Sequence, residues 1–558
     1  MAPSSLRILS LAVLSGLLWC LAWPAVGGIT ALAFVAWVPL LWAEELRGRS
    51  DGERRVRFVP YVLAATFVWN LGCTWWFVMV SEPWSTRLVS VGAPVLVNTF
   101  LMALPWWLRR VAHRRLGARW ADAALVLAWI AFERLHHGWD LQWPWLSMGN
   151  VLGTRPQWAQ WYDHTGMLGG TLWTWLVNLL LFRAMRAWRL GRPWKRSMAL
   201  AGTVLCVPMM ISLARFHRHV EQGPPMDVVV VQPNIDPYSE KFHAEPMAQL
   251  ERMLELAGTA MDTAVRLVLL PETALQEHST VDPHAHPPLF VGLWENDLDG
   301  SRSARRIADF VRAHGRTAVL AGMSSYHLLP DDAALPPYAR ALPGTDRHYS
   351  AANAAMFTGT DGRSSAYRKS KLVAGVEQLP FAALLGHIEQ LSVDLGGTTG
   401  SLAKQAERTV FRDPAAGIAV APVICYESVF GEHVAAHVRN GAELIAVITN
   451  DGWWADSPGY RQHLTFSSLR AIETRRAVAR SANTGISCAV DQRGVVHDAT
   501  DWWVPDARRV TVHRNTAITP FVRHGDIIGR AAVAATIVLL LMLLLPARWR
   551  RRPGPRSE

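Results

Sequence analysis

The sequence is poor in charged residues for its length. Only 18% of its 558 residues are Asp, Glu, Lys or Arg, whereas a water-soluble protein normally carries about 25%. Half of the residues are hydrophobic. A large apolar fraction must therefore face something other than water, and a lipid bilayer is the expected environment. The length also exceeds that of one ordinary domain, so at least two folding units are predicted.

Cysteine is also scarce, and its spacing argues against several kinds of site. The five cysteines form no CxxC pair and no spacing typical of metal ligands, so no disulfide framework is predicted. A Walker-type phosphate loop and an HExxH motif are both absent. His284 and His286 lie in a Pro-rich segment and are interpreted as solvated side chains. The sequence therefore predicts neither a metal nor a cofactor.

Basic residues are in excess, but they do not form one soluble basic face. The formal net charge is +11, and the basic residues lie between apolar runs. A nucleic-acid-binding protein would gather them on one folded surface. The 27 Trp residues are typical of the headgroup level of a membrane, where indole can bury its ring and satisfy its N–H. We expect a membrane, and no nucleic acid, as partner.

Eight apolar runs are long enough to cross about 30 Å of hydrocarbon, which takes about 17–25 helical residues. The first run follows Arg7 as in a signal peptide, but no A-x-A-like cleavage site follows it, so a retained helix is predicted. About seven spans are thus expected in the N-terminal part and one near the C-terminus. The runs cover residues 8–24, 26–43, 58–80, 88–108, 120–136, 165–185, 197–214 and 527–546.

Lys and Arg are concentrated in alternate loops. The rich segments hold five or six each and the poor ones hold one each. By the positive-inside rule both termini are predicted to be cytoplasmic, which places residues 215–525 outside. The alternative, that run 120–136 with Glu133 is a surface helix, would reverse this orientation against the charge distribution. The rich segments are 44–57, 109–119, 183–196 and the tail after residue 546, and the poor ones are 81–87 and 137–164.

From about residue 226 short β-rich runs alternate with amphipathic helical stretches. This pattern predicts an α/β domain with αββα layers. The predicted strands are 227–232, 266–270, 318–322, 418–424 and 444–449, and the predicted helices are 245–262, 301–314 and 461–482. The predicted domains are a polytopic membrane domain over 1–220, an extracytoplasmic catalytic domain over 221–520, and a C-terminal transmembrane helix with a basic cytoplasmic tail over 521–558.

Three segments place a reactive side chain beside an apolar strand. Glu272 follows Leu269–Pro271, where desolvation would raise the pKa of its carboxyl toward that of a general base. Lys369 lies in the segment YRKSKLV, and its ammonium could stabilise an oxyanion. Cys425 directly follows the run IAVAPVI, and its thiol could be a nucleophile if a base and a cation lower its pKa.

Each of these residues also has an ordinary structural explanation. Glu272 could be a helix-capping acid after a strand-ending proline, and Lys369 could belong to a solvated basic turn. Cys425 could be an inert buried thiol. The case for a catalytic site therefore depends on the three residues in combination.

The combination resembles the nitrilase, or carbon–nitrogen hydrolase, superfamily, whose catalytic set is Glu, Lys and Cys in that chain order. The separations of 97 residues from Glu272 to Lys369 and 56 residues on to Cys425 suit that superfamily. With the flanking apolar runs, nearly all of residues 1–546 resemble the apolipoprotein N-acyltransferase family. The other matching segments are Val231–Asn234, Thr449–Trp454, Gln462–His463, Arg470–Glu473 and Arg480–Gly485.

The resemblance implies a role for particular residues. It makes Glu272 the general base, Lys369 the oxyanion-binding lysine and Cys425 the nucleophile. The supporting or substrate-binding positions that it implies are Glu377, Tyr426, Glu427, Trp454 and Phe242. Two segments depart from the family pattern: Ala374–Glu377 stands where many relatives have Pro-Phe-Gly-Glu, and Lys241–Phe242 where many have Lys-Trp. A role that requires an indole at residue 242 is therefore put in question.

The resemblance also implies a reaction. A fatty acyl chain would pass from the sn-1 position of a phospholipid to a thioester on Cys425, and then to the α-amine of the diacylglyceryl-modified N-terminal Cys of an apolipoprotein. It implies no cofactor, a monomer, and a multi-pass protein of the bacterial inner membrane with a periplasmic catalytic domain. The apolar stretch 379–395 is expected to be either a lid on the lipid surface or an ordinary packed helix.

Two other functions are compatible with some of the same sequence features. A membrane-tethered amidase or nitrilase would employ the same three residues but let water attack the thioester. A transporter or receptor would only bind a ligand, but transporters typically show internal repeats and broken midplane helices, and no convincing repeat is present.

Overall fold

The computed structural model describes residues 5–49, 58–80, 83–241, 243–279, 290–331, 334–378, 380–381 and 401–545. Its α-helices are α1 (Ser5–Ala22), α2 (Val38–Arg49), α3 (Val59–Thr74), α4 (Trp84–Leu116), α5 (Ala118–Leu135), α6 (Tyr162–Thr165), α7 (Met167–Arg189), α8 (Lys195–Arg218), α9 (Pro246–Gly258), α10 (Arg302–Ala313), α11 (Gly431–Arg439), α12 (Pro458–Thr474), α13 (Pro520–His524) and α14 (Ile527–Leu544).

The strands all lie between the helices α8 and α13. They are β1 (Pro225–Gln232), β2 (Val265–Leu275), β3 (His278–Ser279), β4 (Phe290–Val291), β5 (Leu293–Trp294), β6 (Ala318–Leu328), β7 (Arg340–Ala341), β8 (His348–Thr358), β9 (Ser364–Arg368), β10 (Phe411–Asp413), β11 (Ile418–Ile424), β12 (Leu444–Thr449), β13 (Val478–Ala482), β14 (Cys488–Val490), β15 (Val496–His497) and β16 (Asp506–His513).

Seven of the eight predicted apolar runs each contain one long helix, and the run 26–43 does not. The prediction of a single helix there is wrong: the chain forms a 3₁₀ turn at Thr30–Phe34 and begins α2 at Val38. Gly28 has a φ of +70° in the turn that precedes them, a conformation that glycine adopts without strain. With 12 residues, α2 is only about 18 Å long and cannot cross the hydrocarbon alone.

Several helices are suited to crossing a membrane. Within the described residues, five are long and apolar enough by length and composition: Ser5–Ala22, Val59–Met79, Thr86–Leu116, Lys195–Arg218 and Ile527–Leu544. The chain is a polytopic helical protein in its N-terminal part, and the number of about eight spans stays a prediction.

Glu133 faces the interior of the helical bundle. Its Oε1 accepts hydrogen bonds from Trp129 Nε1 at 2.8 Å and from the Met148 N–H at 2.8 Å. Its Oε2 accepts one from the Thr171 hydroxyl at 2.6 Å. A buried carboxylate is tolerated when its oxygens are hydrogen-bonded in this way. The polar residue inside the run 120–136 is therefore satisfied within the protein and is no evidence for a surface helix.

Many Trp side chains pack against each other in the core of the bundle rather than at a headgroup level. The rings of Trp37 and Trp175 stack with centroids 5.4 Å apart, and those of Trp19 and Trp69 with centroids 4.6 Å apart. All four are buried. The expectation that Trp marks only the membrane interface therefore needs correction, because large aromatic rings also fill space between helices.

Apart from β3 and β4, which pair only with each other, the strands form two stacked sheets. The first has the order β16-β1-β2-β6-β8-β7, with β5 on β6 and β9 on β8, and the second has the order β10-β11-β12-β13-β14-β15. The central strands are parallel: β1 pairs with β2 and β2 with β6, as β11 does with β12 and β12 with β13. Parallel strands require helical crossovers that cover the outer faces.

Three buried layers follow from this arrangement. Val228 and Leu267 of the first sheet pack in one cluster with Leu444 and Ala446 of the second. The opposite face of the first sheet packs against α9 and α10. The opposite face of the second sheet packs against α11 and α12. The observed architecture is the predicted αββα sandwich.

The five predicted strands are all present, and one predicted helix is wrong in its extent. The strands 418–424 and 444–449 have the predicted bounds. The helix predicted over 461–482 ends at Thr474, because Arg475 adopts a left-handed φ of 51° and the chain turns into β13. The regular spacing of arginine across this stretch concealed the boundary.

The helical bundle and the sandwich are joined by buried hydrogen bonds. Trp145 Nε1 donates to Gln462 Oε1 at 2.7 Å, and the Met167 N–H donates to Glu473 Oε1 at 3.0 Å. Both acceptors lie on α12, which therefore connects the sandwich to the segment after α5 and to the start of α7.

Candidate active site

Glu272 lies in β2 beside a backbone turn. The next residue, Thr273, has a φ of +50°, and the pairing of β2 with β6 is irregular between Leu270 and Leu275, so the strand is distorted beside this carboxyl group. Glu272 Oε1 accepts hydrogen bonds from Lys369 Nζ at 3.0 Å and Asn353 Nδ2 at 2.8 Å. Its Oε2 accepts one from the Asn450 N–H at 3.1 Å. The carboxyl group is thus fixed by groups from three separate segments of the chain.

The pKa of Glu272 corrects the expectation from sequence. Burial acts to raise it, but the Lys369 ammonium and the hydrogen bond from Asn353 outweigh burial, so the pKa lies below its ordinary value. The group is therefore a carboxylate at neutral pH and is ready to accept a proton. The sequence showed the burial and could not show the cation.

Lys369 lies directly after β9 and is almost completely buried. Its Nζ donates to Glu272 Oε1 at 3.0 Å and to Glu377 Oε1 at 2.8 Å. Burial alone would lower the pKa of the ammonium, but the two carboxylates raise it well above the ordinary value. One fixed positive charge therefore stands between two carboxylates.

Cys425 follows β11 at a sharp bend. Its φ is +48°, and it opens the 3₁₀ turn Cys425–Val429. Its thiol is free. Burial and the nearby Glu272 charge raise the pKa of the thiol, and Lys369 lowers it only in part. The resting site therefore holds a neutral thiol beside a carboxylate, an arrangement that requires a base at the moment of attack.

These three residues line one cavity of about 400 Å³. Its walls come from both parts of the molecule. The sandwich contributes the three reactive groups, and α4 contributes the apolar residues Val89, Ala93, Val97 and Leu101. Residues four apart in a helix lie on one face, so these four side chains form an apolar stripe about 18 Å long. The cavity therefore joins the three reactive groups to the helical bundle.

Of the supporting residues, Glu377 and Trp454 line the same cavity. Besides Lys369, Glu377 binds Asn353 Nδ2 at 3.0 Å and the Val373 N–H at 2.9 Å. The Trp454 ring lies 4.8 Å from that of Trp76, which belongs to the helical bundle. The carboxylate thus belongs to the polar end of the cavity, and the indole to the junction with the bundle.

Tyr426 and Glu427 follow the thiol and point in different directions. Tyr426 lines the cavity, and its hydroxyl donates to the Gln142 carbonyl at 2.9 Å. Glu427 is fully buried and lies behind the site. Its carboxylate accepts hydrogen bonds from the Ser370 N–H at 2.6 Å and the Ile424 N–H at 2.8 Å. It therefore ties the segment of Lys369 to the strand that carries the thiol.

The pKa of Glu427 reflects these contacts. Burial acts to raise it, but His433 and the hydrogen bond from the Ile424 N–H lower it to about 2. Glu427 is therefore a structural carboxylate rather than a group that exchanges protons during a reaction near neutral pH.

Sequence reasoning missed Asn353 and underrated Lys241. Asn353 bridges Glu272 and Glu377, and the signal for it was a single amide inside the apolar strand SAANAAMF. Lys241 Nζ donates to the Glu272 carbonyl at 3.2 Å and also bonds to the Thr273 hydroxyl. Burial lowers the pKa of this second ammonium to about 8.

Some predicted positions lie outside the described residues. These are Phe242, His284, His286 and the segment 379–395 apart from Pro380 and Phe381. In the part that the structure describes, no group of three or more His, Cys, Asp or Glu side chains is placed to hold a metal ion.

Comparison with known proteins matches both parts of the chain. Residues 227–518 match the carbon–nitrogen hydrolase family, and residues 15–180 match the apolipoprotein N-acyltransferase N-terminal domain. Among solved structures, an amidase from Nesterenkonia sp. is similar at 16% identity over 57% of this chain and 97% of that chain, with a TM-score of 0.35.

Two full-length relatives carry the same name. The apolipoprotein N-acyltransferase of Chlorobaculum tepidum is 29% identical over 96% of this chain and 97% of its own length. That of Rhizobium meliloti is 30% identical over 87% of this chain and 86% of its own length. The likeness therefore extends through the helical bundle as well as the sandwich.

Proposed function

Because the chain belongs to the apolipoprotein N-acyltransferase family of carbon–nitrogen hydrolases, we propose that Cys425, Glu272 and Lys369 perform its chemistry. The enzyme transfers a fatty acyl chain from a phospholipid, through a cysteine thioester, to the α-amine of an apolipoprotein, the last step of lipoprotein maturation. The observation that carries the assignment of residues is that this thiol, carboxylate and ammonium line one cavity.

In the first half-reaction Cys425 is the nucleophile. Glu272 takes the thiol proton as Sγ attacks the carbonyl carbon of the sn-1 ester. Lys369 and the backbone N–H of Tyr426 hold the negative charge on the carbonyl oxygen. The tetrahedral intermediate then expels the sn-1 alkoxide, which takes the proton from Glu272 and leaves as lysophospholipid.

In the second half-reaction the thioester is consumed. The α-amine of the diacylglyceryl-modified N-terminal Cys attacks the thioester carbonyl, and Glu272 accepts the proton that the amine loses. The Cys425 thiolate leaves and is reprotonated, which restores the resting site. Amide formation rather than hydrolysis requires that the amine reach the thioester before water does.

The electrostatics of the site support these roles. The lowered pKa of Glu272 and the raised pKa of the Cys425 thiol make full proton transfer uphill before substrate binds. A thiolate would form only as the negative charge moves onto a carbonyl oxygen near Lys369. Charge stabilisation at that moment lowers the barrier without lowering the energy of the resting state.

The apolar wall from α4 supports a lipid donor. Val89, Ala93, Val97 and Leu101 form one stripe toward the reactive groups. A soluble amide would gain nothing from such a wall, whereas a fatty acyl chain would bury against it. We therefore propose that the donor chain lies along α4 with its ester at Cys425.

The chain is a membrane protein, and its finer placement is part of the proposal. The distribution of Lys and Arg favours cytoplasmic termini and a periplasmic sandwich in the bacterial inner membrane. We propose the domains 1–220, 221–520 and 521–558, a phospholipid donor, a diacylated lipoprotein acceptor, and a monomer. Both substrates keep acyl chains in the bilayer, which accounts for a catalytic domain joined to a helical bundle.

Mass spectrometry of intact protein incubated with phospholipid tests the proposed residues and distinguishes transfer from amide hydrolysis. We expect one fatty acyl adduct that maps to Cys425, release of lysophospholipid, and loss of the adduct when a diacylated lipopeptide is added. Release of acid from small amides with no lysophospholipid would instead support an amidase.

A further inference from the structure

A second cavity, of about 710 Å³, lies among α2, α4, α5 and α7. Its charged lining is mostly basic, with seven arginines and three carboxylates. The lining arginines are Arg109, Arg110, Arg114, Arg119, Arg183, Arg186 and Arg192. The carboxylates are Glu44, Glu45 and Asp122. We call this space the arginine cavity.

The arginine cavity lies at the other end of the helices that border the active-site cavity. On α4 the active-site stripe includes Val97, and the arginine cavity includes Arg114. These residues are 17 positions apart, or about 25 Å along a helix. On α5, His136 borders the first cavity just past the helix end, and Asp122 the second near its start. The separation approaches the thickness of the hydrocarbon core, so the arginine cavity lies at the headgroup level of the opposite leaflet.

The three carboxylates are already occupied. Asp122 Oδ1 accepts from Arg109 at 2.9 Å, and its Oδ2 accepts from Arg183 at 2.6 Å. Glu44 pairs with Arg109, and Glu45 Oε1 pairs with Arg186 at 3.1 Å. These ion pairs hold the ends of four helices together, and they neutralise the three lining carboxylates.

Of the four other lining arginines, Arg110 lies over the Phe58 ring, and three remain available. Arg114, Arg119 and Arg192 are exposed, and their side chains make no hydrogen bond or ion pair within the described part of the chain. A guanidinium fork matches the oxygens of a phosphate. Basic pockets between transmembrane helices are a known way to bind anionic headgroups. Leu41 and Phe182 line the same space and give it apolar walls that a free hydrated anion would not use.

We propose that the arginine cavity binds the phosphate of an anionic phospholipid headgroup, with Arg114, Arg119 and Arg192 as its ligands. Such a lipid would be distinct from the acyl donor, since it lies in the other leaflet and far from Cys425. Its binding would fix the ends of α4, α5 and α7, the helices that connect the two cavities.

Binding of defined lipids to the full chain tests this site. Native mass spectrometry in detergent would compare phosphatidylglycerol with phosphatidylcholine on the wild type and on R114Q/R119Q. The matched control is K195Q/R196Q, which removes the same charge at the start of α8, outside the cavity. We expect R114Q/R119Q to bind phosphatidylglycerol about 30-fold more weakly, because each basic side chain near an anionic lipid contributes about a fivefold gain, and we expect the control to bind as the wild type does.

A second arm identifies the source of the phosphate. Millimolar inorganic phosphate should not displace phosphatidylglycerol if the apolar walls matter, and displacement that depends on Arg114 and Arg119 would assign the site to a soluble phosphate instead. The site is disproved if the two double variants lose the same affinity, or if neither loses any. Equal melting temperatures of the variants in phosphatidylcholine establish that both are folded.

Side chains behind the site also hold the backbone of Cys425, and the role that we infer for them rests on the proposed function. The carbonyl oxygen of Cys425 accepts a hydrogen bond from the Ser428 hydroxyl at 2.7 Å, and His463 Nε2 lies 3.1 Å from the same oxygen and 3.0 Å from Ser428 Oγ. A carbonyl oxygen can only accept, so His463 bonds to it in the form that carries a proton on Nε2. Ser428 and His463 together fix the direction of this carbonyl.

His463 is itself held rigidly. Its Nδ1 lies 2.8 Å from Asp451 Oδ1, and Asp451 Oδ2 accepts from Arg480 at 2.6 Å. The Trp145 ring stacks on the imidazole at 5.7 Å. All of these side chains are buried, so the imidazole has little freedom to move.

The direction of the carbonyl sets that of the next N–H. The Cys425–Tyr426 peptide is trans, and the C=O and N–H bonds of a trans peptide lie in its plane and point in opposite directions. We infer that His463 is a positioning residue: by anchoring the Cys425 carbonyl behind the site, it aims the Tyr426 N–H at the oxyanion in front. Donation to the carbonyl also polarises the peptide and strengthens that N–H as a donor.

Single-turnover formation of the acyl thioester tests this role. We expect H463L to slow acylation about 10- to 100-fold at saturating phospholipid with little change in apparent KM, since loss of an oxyanion donor costs about 100- to 1000-fold and here the donor is only misaligned. H463Q should recover most of the rate, because its amide N–H can reach the same carbonyl. S428A removes the second donor and should act in the same direction.

The outcomes separate this inference from the assignment of the nucleophile. If C425A still forms the adduct, the proposed function fails. If C425A forms none while H463L and S428A acylate at the wild-type rate, the positioning role fails and the nucleophile stands. Failure of H463Q to exceed H463L would also count against the positioning role, since a purely steric effect would give that result.

Discussion

At the scale of single residues, the site is organised around one ammonium. Lys369 Nζ lies within 3.0 Å of both Glu272 and Glu377, and Asn353 donates to the same two carboxylates. Two carboxylates share this ammonium, and a second ammonium, that of Lys241, donates to the Glu272 carbonyl. Burial and the Glu272 charge raise the pKa of the Cys425 thiol, so the thiol is protonated at rest.

The nucleophile assignment predicts the behaviour of substitutions in the triad. C425A should abolish thioester formation while the protein still folds, and E272Q and K369M should each lower kcat/KM by about 10³-fold or more, because members of a catalytic unit act together. Transfer to a diacylated lipopeptide measures the loss, and the melting temperature checks folding. Near-normal turnover by C425A would remove the assignment.

Asn353 is predicted to matter for orientation. N353A should lower kcat about 10- to 100-fold, because Glu272 and Glu377 each lose a hydrogen bond that fixes a carboxylate. The matched control is N296A, an exposed asparagine whose amide caps the end of β6. Steady-state transfer kinetics would measure both. Equal activities of the two variants would show that the Asn353 amide is not needed to orient the carboxylates.

The low pKa of Glu427 predicts that the free energy of unfolding depends on pH in the acid range. Its folded pKa of about 2 lies below the value of about 4.3 in an unfolded chain. Its contribution to stability is therefore complete above about pH 4.3 and is lost as the pH falls toward 2. E427Q should lower the free energy of unfolding by about 3–5 kcal/mol at pH 7, as for other broken buried charge networks, and should flatten the acid limb of a melting-temperature profile. A profile unchanged in shape would contradict this role.

At the scale of elements, α4 links the chemistry to the bilayer. Its stripe of residues four apart faces the active-site cavity, while Leu96 and Phe100 on another face are exposed. An apolar surface of this kind is expected where a helix contacts lipid. One helix thus presents one face to a substrate chain and another to the surrounding membrane.

Blocking the stripe should affect lipid use selectively. V97W would fill the cavity and is expected to raise the KM for phospholipid about tenfold or more, since an added ring cannot be accommodated in a defined pocket without displacing the substrate chain. L96W adds the same ring on the exposed face and serves as control. Initial rates at varied phospholipid in mixed micelles would measure both. An equal effect of the two substitutions would refute the proposed course of the donor chain.

The elements also show where pattern reasoning succeeds. Continuous Val, Ile and Ala runs predicted β11 and β12 with the observed bounds, because a strand buried on both faces admits little else. The run 26–43 had the same composition as a span, yet glycines turn the chain inside it and α2 begins only at Val38. Hydropathy averages over a window and does not detect a turn within it.

At the scale of the whole molecule, the two cavities lie at opposite ends of shared helices. The active-site cavity joins the bundle to the sandwich, and α12 contacts the bundle through Gln462 and Glu473. The cavity that holds the proposed catalytic groups is therefore not confined to the sandwich, since the bundle supplies part of its wall. This arrangement suits substrates that keep their acyl chains in the bilayer.

The proposed topology can be tested by labelling. In a C206S background, a cysteine at Asp361 in the sandwich should react with a membrane-impermeant maleimide in intact spheroplasts, and a cysteine at Arg196 should react only after lysis. The reason is the excess of Lys and Arg in the segment 183–196. The reverse pattern would invert the orientation and place the sandwich in the cytoplasm.

The sequence by itself determined the class of the fold and predicted the composition of the candidate site. Residue order, strand pattern and the family resemblance together predicted Glu272, Lys369 and Cys425 as the catalytic set, because a reactive side chain beside an apolar strand is visible in the sequence. The apolar runs predicted a membrane protein for the same reason. These features depend on residues that are close together along the chain, so they can be recognised from the sequence.

Only the tertiary structure decided how these groups affect one another. It showed that Lys369 reverses the effect of burial on the pKa of Glu272, that Asn353 bridges two carboxylates, and that α4 supplies the apolar wall of the cavity. Electrostatic energy depends on distance between atoms and on burial, and neither can be read from separation along the chain. The arginine cavity and the anchored Cys425 carbonyl became visible for the same reason.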